Sequence, residues 1–198
     1  MPLAHLAAYW SFGAAAATVL MLHPSLPSAE GASAPGCATA AAAGAGALTA
    51  AAYHALVHRG CASRPLDTAT LIVFPVFNGV FETTLFAAAF RGGAAIARAA
   101  GSPPIGRFLA GTTTFFAFSG LIHALFWLRI LPPHMPETRE LPPRRKALKR
   151  AWAFGLGGMS FAWAWLLHAH DALRTVTWQH ILFDAAMVAS VRCRIAWR

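Results

Sequence analysis

The side chains best able to do chemistry in this chain are Glu82, His123, His180 and Asp184, each set inside a long apolar stretch. Asn78 lies four residues before Glu82, and Asp184 lies four after His180. Each pair therefore shares one face of a helix. An ionisable group at bilayer depth costs at least about 2.5–3.5 kcal/mol on insertion scales, and such groups usually face a bundle interior and carry function. A carboxylate there can take a proton from a bound water. A neighbouring imidazole can donate to the oxygen that becomes negative as a carbonyl is attacked. A second histidine, oriented by a carboxylate one turn away, completes a water-holding arrangement. That chemistry is hydrolysis of an amide bond inside a membrane.

The elements that must position these groups follow from composition. Of 198 residues, 57% are hydrophobic and only 12% are charged. Soluble domains carry about 25% charged residues, so this chain cannot cover a water-facing surface. A span needs about 20 apolar residues. The sequence predicts an all-α, polytopic bundle of about six transmembrane helices, at Leu3–Met21, Gly36–Leu56, Ala69–Phe90, Ile105–Ile130, Ala151–His168 and Val176–Val191. The second is mostly alanine and glycine, suited to close packing between helices. Ala32-Ser33-Ala34 looks like a signal-peptide cleavage box, but the start carries no Lys or Arg. A retained first helix is therefore expected. Counting from the basic loops, Glu82, His123, His180 and Asp184 fall within a few turns of one another in depth.

Six spans segregate the basic residues. Arg59, Arg64, Arg139, Arg144, Arg145, Lys146, Lys149, Arg150, Arg192, Arg194 and Arg198 share the side of the termini, against Arg91, Arg98, Arg107 and Arg174 opposite. The positive-inside rule places both termini on the cytoplasmic or stromal side. A bacterial inner membrane, or a chloroplast thylakoid or mitochondrial membrane, fits that topology. The cluster Arg144–Arg150 is expected to meet anionic lipid head groups. The formal net charge of +9 is read in that light, and nucleic acid is not an expected partner. The cysteines at 37, 61 and 193 have no paired spacing for zinc or iron–sulfur.

Three segments then resemble a known family. FETTLFAAAFRGG, FSGLIHALFW and HILFDAAMV are similar to the three motifs of the CPBP intramembrane proteases, the glutamate-dependent CAAX-processing or Abi type. The resemblance covers residues 74–190 as a four-helix core within a single membrane domain, 1–198. The two N-terminal helices, 1–57, lie outside it. It implies a metal-independent glutamic endopeptidase in which Glu82 activates water. His123 and His180 would polarise the peptide carbonyl or hold the water, and Asp184 would fill the family's Asn/Asp position. Asn78 and Arg91 would support the site. The family pairs two glutamates where Glu82 stands alone, and its arginine follows sooner than Arg91. It also has a phenylalanine where Ser119 stands.

Those departures keep two other functions open. One is a catalytically silent relative, serving as a subunit or assembly factor of a membrane complex. The other is a haem- or chlorophyll-binding protein, with axial ligands from His54, His58, His123 or His180. No HExxH helix, Gly-x-Ser-x-Gly elbow or phosphate loop is present. Trp10, Trp127, Trp152, Trp178 and Trp197 lie near expected span ends, where indoles favour the interface.

Overall fold

The computed structural model describes residues 1–22, 36–130 and 135–197. The Ala32-Ser33-Ala34 box and Arg198 lie outside the described residues. Within them the chain forms α1 (Leu3–Leu22), α2 (Gly36–Cys61), α3 (Thr68–Ala99), α4 (Pro104–Ile122), α5 (Pro143–His170) and α6 (Leu173–Val191). The fourth helix runs on through a π-helical turn, His123–Trp127, and a last turn at Leu128–Ile130. The only β feature among the described residues is an isolated bridge between Pro2 and Ala196.

Local chemistry sets the boundaries. Asp67 caps α3, its carboxylate accepting from the Thr70 amide at 3.3 Å and from the Thr70 hydroxyl. Prolines open α4 and α5, where a missing N–H costs no helical hydrogen bond. Helices α5 and α6 end on Asp171 and Arg192, both left-handed, with φ of 45° and 50°.

Four stretches are long and apolar enough to cross a membrane: Leu3–Leu20, Gly36–Cys61, Thr68–Ala99 and Pro104–Trp127. The last two helices are not among them. Helix α5 begins with the basic run and is diluted by glycine and tryptophan, while α6 carries Arg174, Gln179, His180 and Asp184. The described residues thus form an all-helical bundle in which four of the six helices are long and apolar enough to cross a membrane and two are less apolar.

Helix α3 is the hub, packing on α1, α4 and α6, while the alanine-rich α2 lies against α5 and α6. Two apolar clusters result. One centres on Tyr9, Trp10, Tyr53, Phe74, Trp127 and Val188. The other centres on Phe86, Phe115, Met159, Trp163, Val176 and Phe183. In lipid such contacts act by close packing rather than by exclusion of water.

One end of the bundle is tied together by backbone contacts. The Met1 amino group donates to the Arg194 carbonyl at 2.6 Å, and the Ile195 amide donates to Thr70 Oγ1 at 2.9 Å. Arg192 donates to the carbonyls of Ala62 and Arg64, both at 2.9 Å, and Arg145 donates to that of Leu56. Residues 1 and 194–196, the 61–70 segment and the start of α5 therefore meet at that end. Most of the basic residues collect there. Arg98, Arg107 and Arg174 sit at helix ends that close the opposite side.

Candidate functional site

The site begins where α3 and α6 touch. A Cβ placed on Gly79 would lie 2.5 Å from Ile181 Cγ1 and 2.9 Å from its backbone nitrogen. Only glycine permits that approach. It brings Asn78, Glu82 and Thr83 of α3 against His180 and Asp184 of α6. The Asn78 amide nitrogen donates to Glu82 Oε2 at 2.7 Å and to Asp184 Oδ2 at 2.8 Å. His180 Nε2 faces the same two oxygens at 3.5 and 3.6 Å. Its Nδ1 lies 2.9 Å from Thr83 Oγ1. Phe86 stacks on the imidazole at 5.8 Å between ring centroids, and Trp163 packs at 5.0 Å.

Helix α1 supplies another wall. Gly13 lies flat against Phe81, where a Cβ would meet the Phe81 carbonyl oxygen at 2.7 Å. One turn earlier Tyr9 donates its hydroxyl to Glu82 Oε1 at 2.7 Å, and Trp10 Nε1 reaches Asn78 Oδ1 at 3.4 Å. The π turn of α4 brings in Trp127, whose Nε1 donates to Glu82 Oε1 at 2.9 Å. Glu82 thus accepts hydrogen bonds from three side chains while only 2% exposed; His180 and Asp184 are 5% and 6% exposed. Among the described residues, the ion pairs of both carboxylates are with His180 alone. No lysine or arginine among the described residues pairs with them.

The expected residues thus divide. Glu82, His180, Asp184 and Asn78 come together. His123 is exposed, its Nδ1 on the Ser119 carbonyl at 2.7 Å. Because that carbonyl can only accept, Nδ1 carries the proton. A π turn holds an extra residue and rotates the facing of every residue beyond it. Here His123, which opens the turn, faces outward, and Trp127 at its end faces inward. Arg91 pairs with Asp171 at the corner between α5 and α6, about 13 Å along α3 from Glu82 at 1.5 Å per residue.

His54 and His58 stack on each other with centroids 4.4 Å apart, and His54 Nδ1 lies 3.0 Å from Ser190 Oγ. Ser190 is about 15 Å along α6 from His180. The histidines named as axial ligands therefore lie in separate places. Trp10 and Trp127, expected at the interface, are instead buried donors to the site, whereas Trp178 and Trp197 are exposed. Tyr9 and Thr83 belong to the site although the sequence does not single them out, and Trp127 joins them from its expected place at the interface. The one signal for Tyr9 is a phenol inside an apolar helix, one of two tyrosines in the chain.

Chemically, the junction offers a carboxylate base, an imidazole fixed through its second nitrogen, and a further carboxylate against the same imidazole. One atom from each of Glu82, His180 and Asp184 could also reach a shared metal ion, all three lying within 4.8 Å of one another. No family model matches this chain, and no curated protein or solved structure matches it.

Proposed function

We propose that this chain is an integral membrane protein of six spans whose Glu82–His180–Asp184 centre hydrolyses peptide bonds at membrane depth, in the manner of CPBP glutamic proteases. The observation that supports it most is the meeting of Glu82 with His180 and Asp184, at 3.5 and 3.6 Å around one imidazole nitrogen, in a buried junction. Residues that far apart in sequence are brought together by the close approach of Gly79 to Ile181. Glu82 would take the proton of the attacking water. His180, accepting from Thr83 at Nδ1, would carry its proton on Nε2 and donate to the developing oxyanion. Asp184 would orient it. Entry of water and substrate requires the Tyr9–Glu82 contact to open, so α1 would serve as the gate.

In this reading both termini and the cluster Arg144–Arg150 face the cytoplasm or stroma. Each basic residue near an anionic surface contributes about 1 kcal/mol to the attraction. The host is a bacterial inner membrane or an organelle membrane. The test is cleavage of prenylated and transmembrane peptides in proteoliposomes by wild type, Glu82→Gln and His180→Ala. The reading requires turnover in wild type and its loss in both variants while they remain folded.

A second reading rests on a specific observation. Both oxygens of Glu82 are already engaged by buried donors, as in a polar lock that fixes helix packing. A silent relative acting as a subunit or assembly factor would look like this. It would show no turnover and would purify within a larger complex.

A further inference from the structure

Two carboxylates and an imidazole converge in this junction, with no lysine or arginine among the described residues paired to them. Burying charge in that way is costly unless protons or a cation neutralise it. The spacing bears on which. His180 Nε2 lies 3.5 Å from Glu82 Oε2 and 3.6 Å from Asp184 Oδ2, longer than the about 2.7–3.2 Å of an ordinary N–H···O bond. Ligands about 2.0–2.2 Å from a tetrahedral ion stand roughly 3.3–3.6 Å from one another. The two approaches to His180 have that length.

The surroundings are those of a metal ligand set. An imidazole that binds through one nitrogen is normally fixed by a hydrogen bond at the other, and ligating carboxylates are themselves hydrogen-bonded. Thr83 Oγ1 sits 2.9 Å from His180 Nδ1, which leaves Nε2 pointing, nine-tenths or more buried, at both carboxylates. Asn78 donates to Glu82 Oε2 and Asp184 Oδ2, while Tyr9 and Trp127 hold the other Glu82 oxygen.

We propose that Glu82, His180 and Asp184 form a binding site for one divalent transition-metal ion, of the class that accepts one nitrogen and two carboxylate oxygens. Zinc, manganese, iron(II) and cobalt(II) take such ligands. The ion replaces whatever protons the cluster otherwise shares, so the loaded site is a second state in which Glu82 is a ligand and no longer a base. The inference therefore stands apart from the hydrolytic reading, and binding is measured without reference to cleavage.

The experiment uses the full chain in detergent. Because His54 and the half-buried His58 stack as a pair that could pick up zinc, the background is His54→Ala with His58→Ala. The protein is equilibrated with zinc or cobalt(II), desalted and assayed for bound metal. One equivalent is expected, with cobalt showing the visible absorption of low-coordinate N/O ligation. Glu82→Gln and His180→Ala should each weaken binding at least tenfold, and Asp184→Asn should do the same with the least change in shape. Zinc should also raise the Tm of the background protein but not that of Asp184→Asn, since only a folded-state ligand stabilises. No bound metal, or loading and Tm shifts equal in the background and Asp184→Asn, would overturn the proposal. If cleavage proceeds undiminished in chelator, the hydrolytic reading survives on Glu82 alone, and the binding result still decides the metal site.

Discussion

Removing a donor to Glu82 leaves a buried carboxylate oxygen short of a hydrogen bond, which costs about 1–3 kcal/mol. Tyr9→Phe and Trp127→Phe are expected to fall in that range, read as lower unfolding midpoints in detergent. Both donate to the same oxygen, so their effects should not add; strict additivity in a double-mutant cycle would deny the shared network. These residues also mark how far the sequence could be read. Glu82, Asn78, His180 and Asp184 stand out because ionisable or amide groups in apolar stretches are expensive. Tyr9, Trp10 and Trp127 do not, because an aromatic donor in an apolar helix has the same composition whether it faces head groups or a buried carboxylate. His123 is legible as a polar residue, whereas the inward facing of Trp127 follows from a π turn that no residue type announces.

At the scale of elements, two close approaches carry the site. Gly79→Ala must push α3 from α6 at Ile181, and overpacking of this kind costs about 1–3 kcal/mol. Gly92→Ala, with open space at its Cβ, should leave the unfolding midpoint unchanged or slightly raised. Equal behaviour of the two would mean that the α3–α6 contact is not close. Helix α3 also has a pH-sensitive start. The Thr70 hydroxyl, by hydrogen bonding, holds the Asp67 carboxyl below the usual carboxylate range. A carboxyl lowered on folding stabilises above its unfolded pKa of about 3.9, and that contribution is lost as pH falls through the lower folded value. The midpoint gap between wild type and Asp67→Asn should therefore shrink in acid; a gap constant with pH would contradict the cap. The positions of α1 to α4 were legible from apolar length, to within a few residues at most ends and with α3 running on past Phe90 to Ala99. The contribution of α1 to the site was not, because the family resemblance begins at Phe74, beyond it.

For the whole molecule, the proposed function requires six crossings. The contacts among Met1, Arg194, Thr70, Ala62 and Arg145 place the described ends of the chain at one end of the bundle, and the basic residues follow. Cys37, exposed at the start of α2, should then react with an impermeant maleimide only from the face opposite to Lys146→Cys. Labelling of both from one face would contradict the odd number of crossings between them. In sequence this topology rests on charge segregation, which the labelling experiment tests directly. The lower hydropathy of α5 and α6 was hidden by dividing the chain on length, since a helix lined with site residues and glycine need not be apolar throughout.

The measurement closest to the centre of the account is the cleavage rate of a transmembrane peptide in proteoliposomes by wild type and by Glu82→Gln of verified fold. A positioned general base contributes about 10²–10⁴-fold. A loss of at least about a hundredfold in the variant is the predicted result. Equal rates, or no turnover by wild type under any membrane composition, would contradict it and leave the buried cluster a lock between helices.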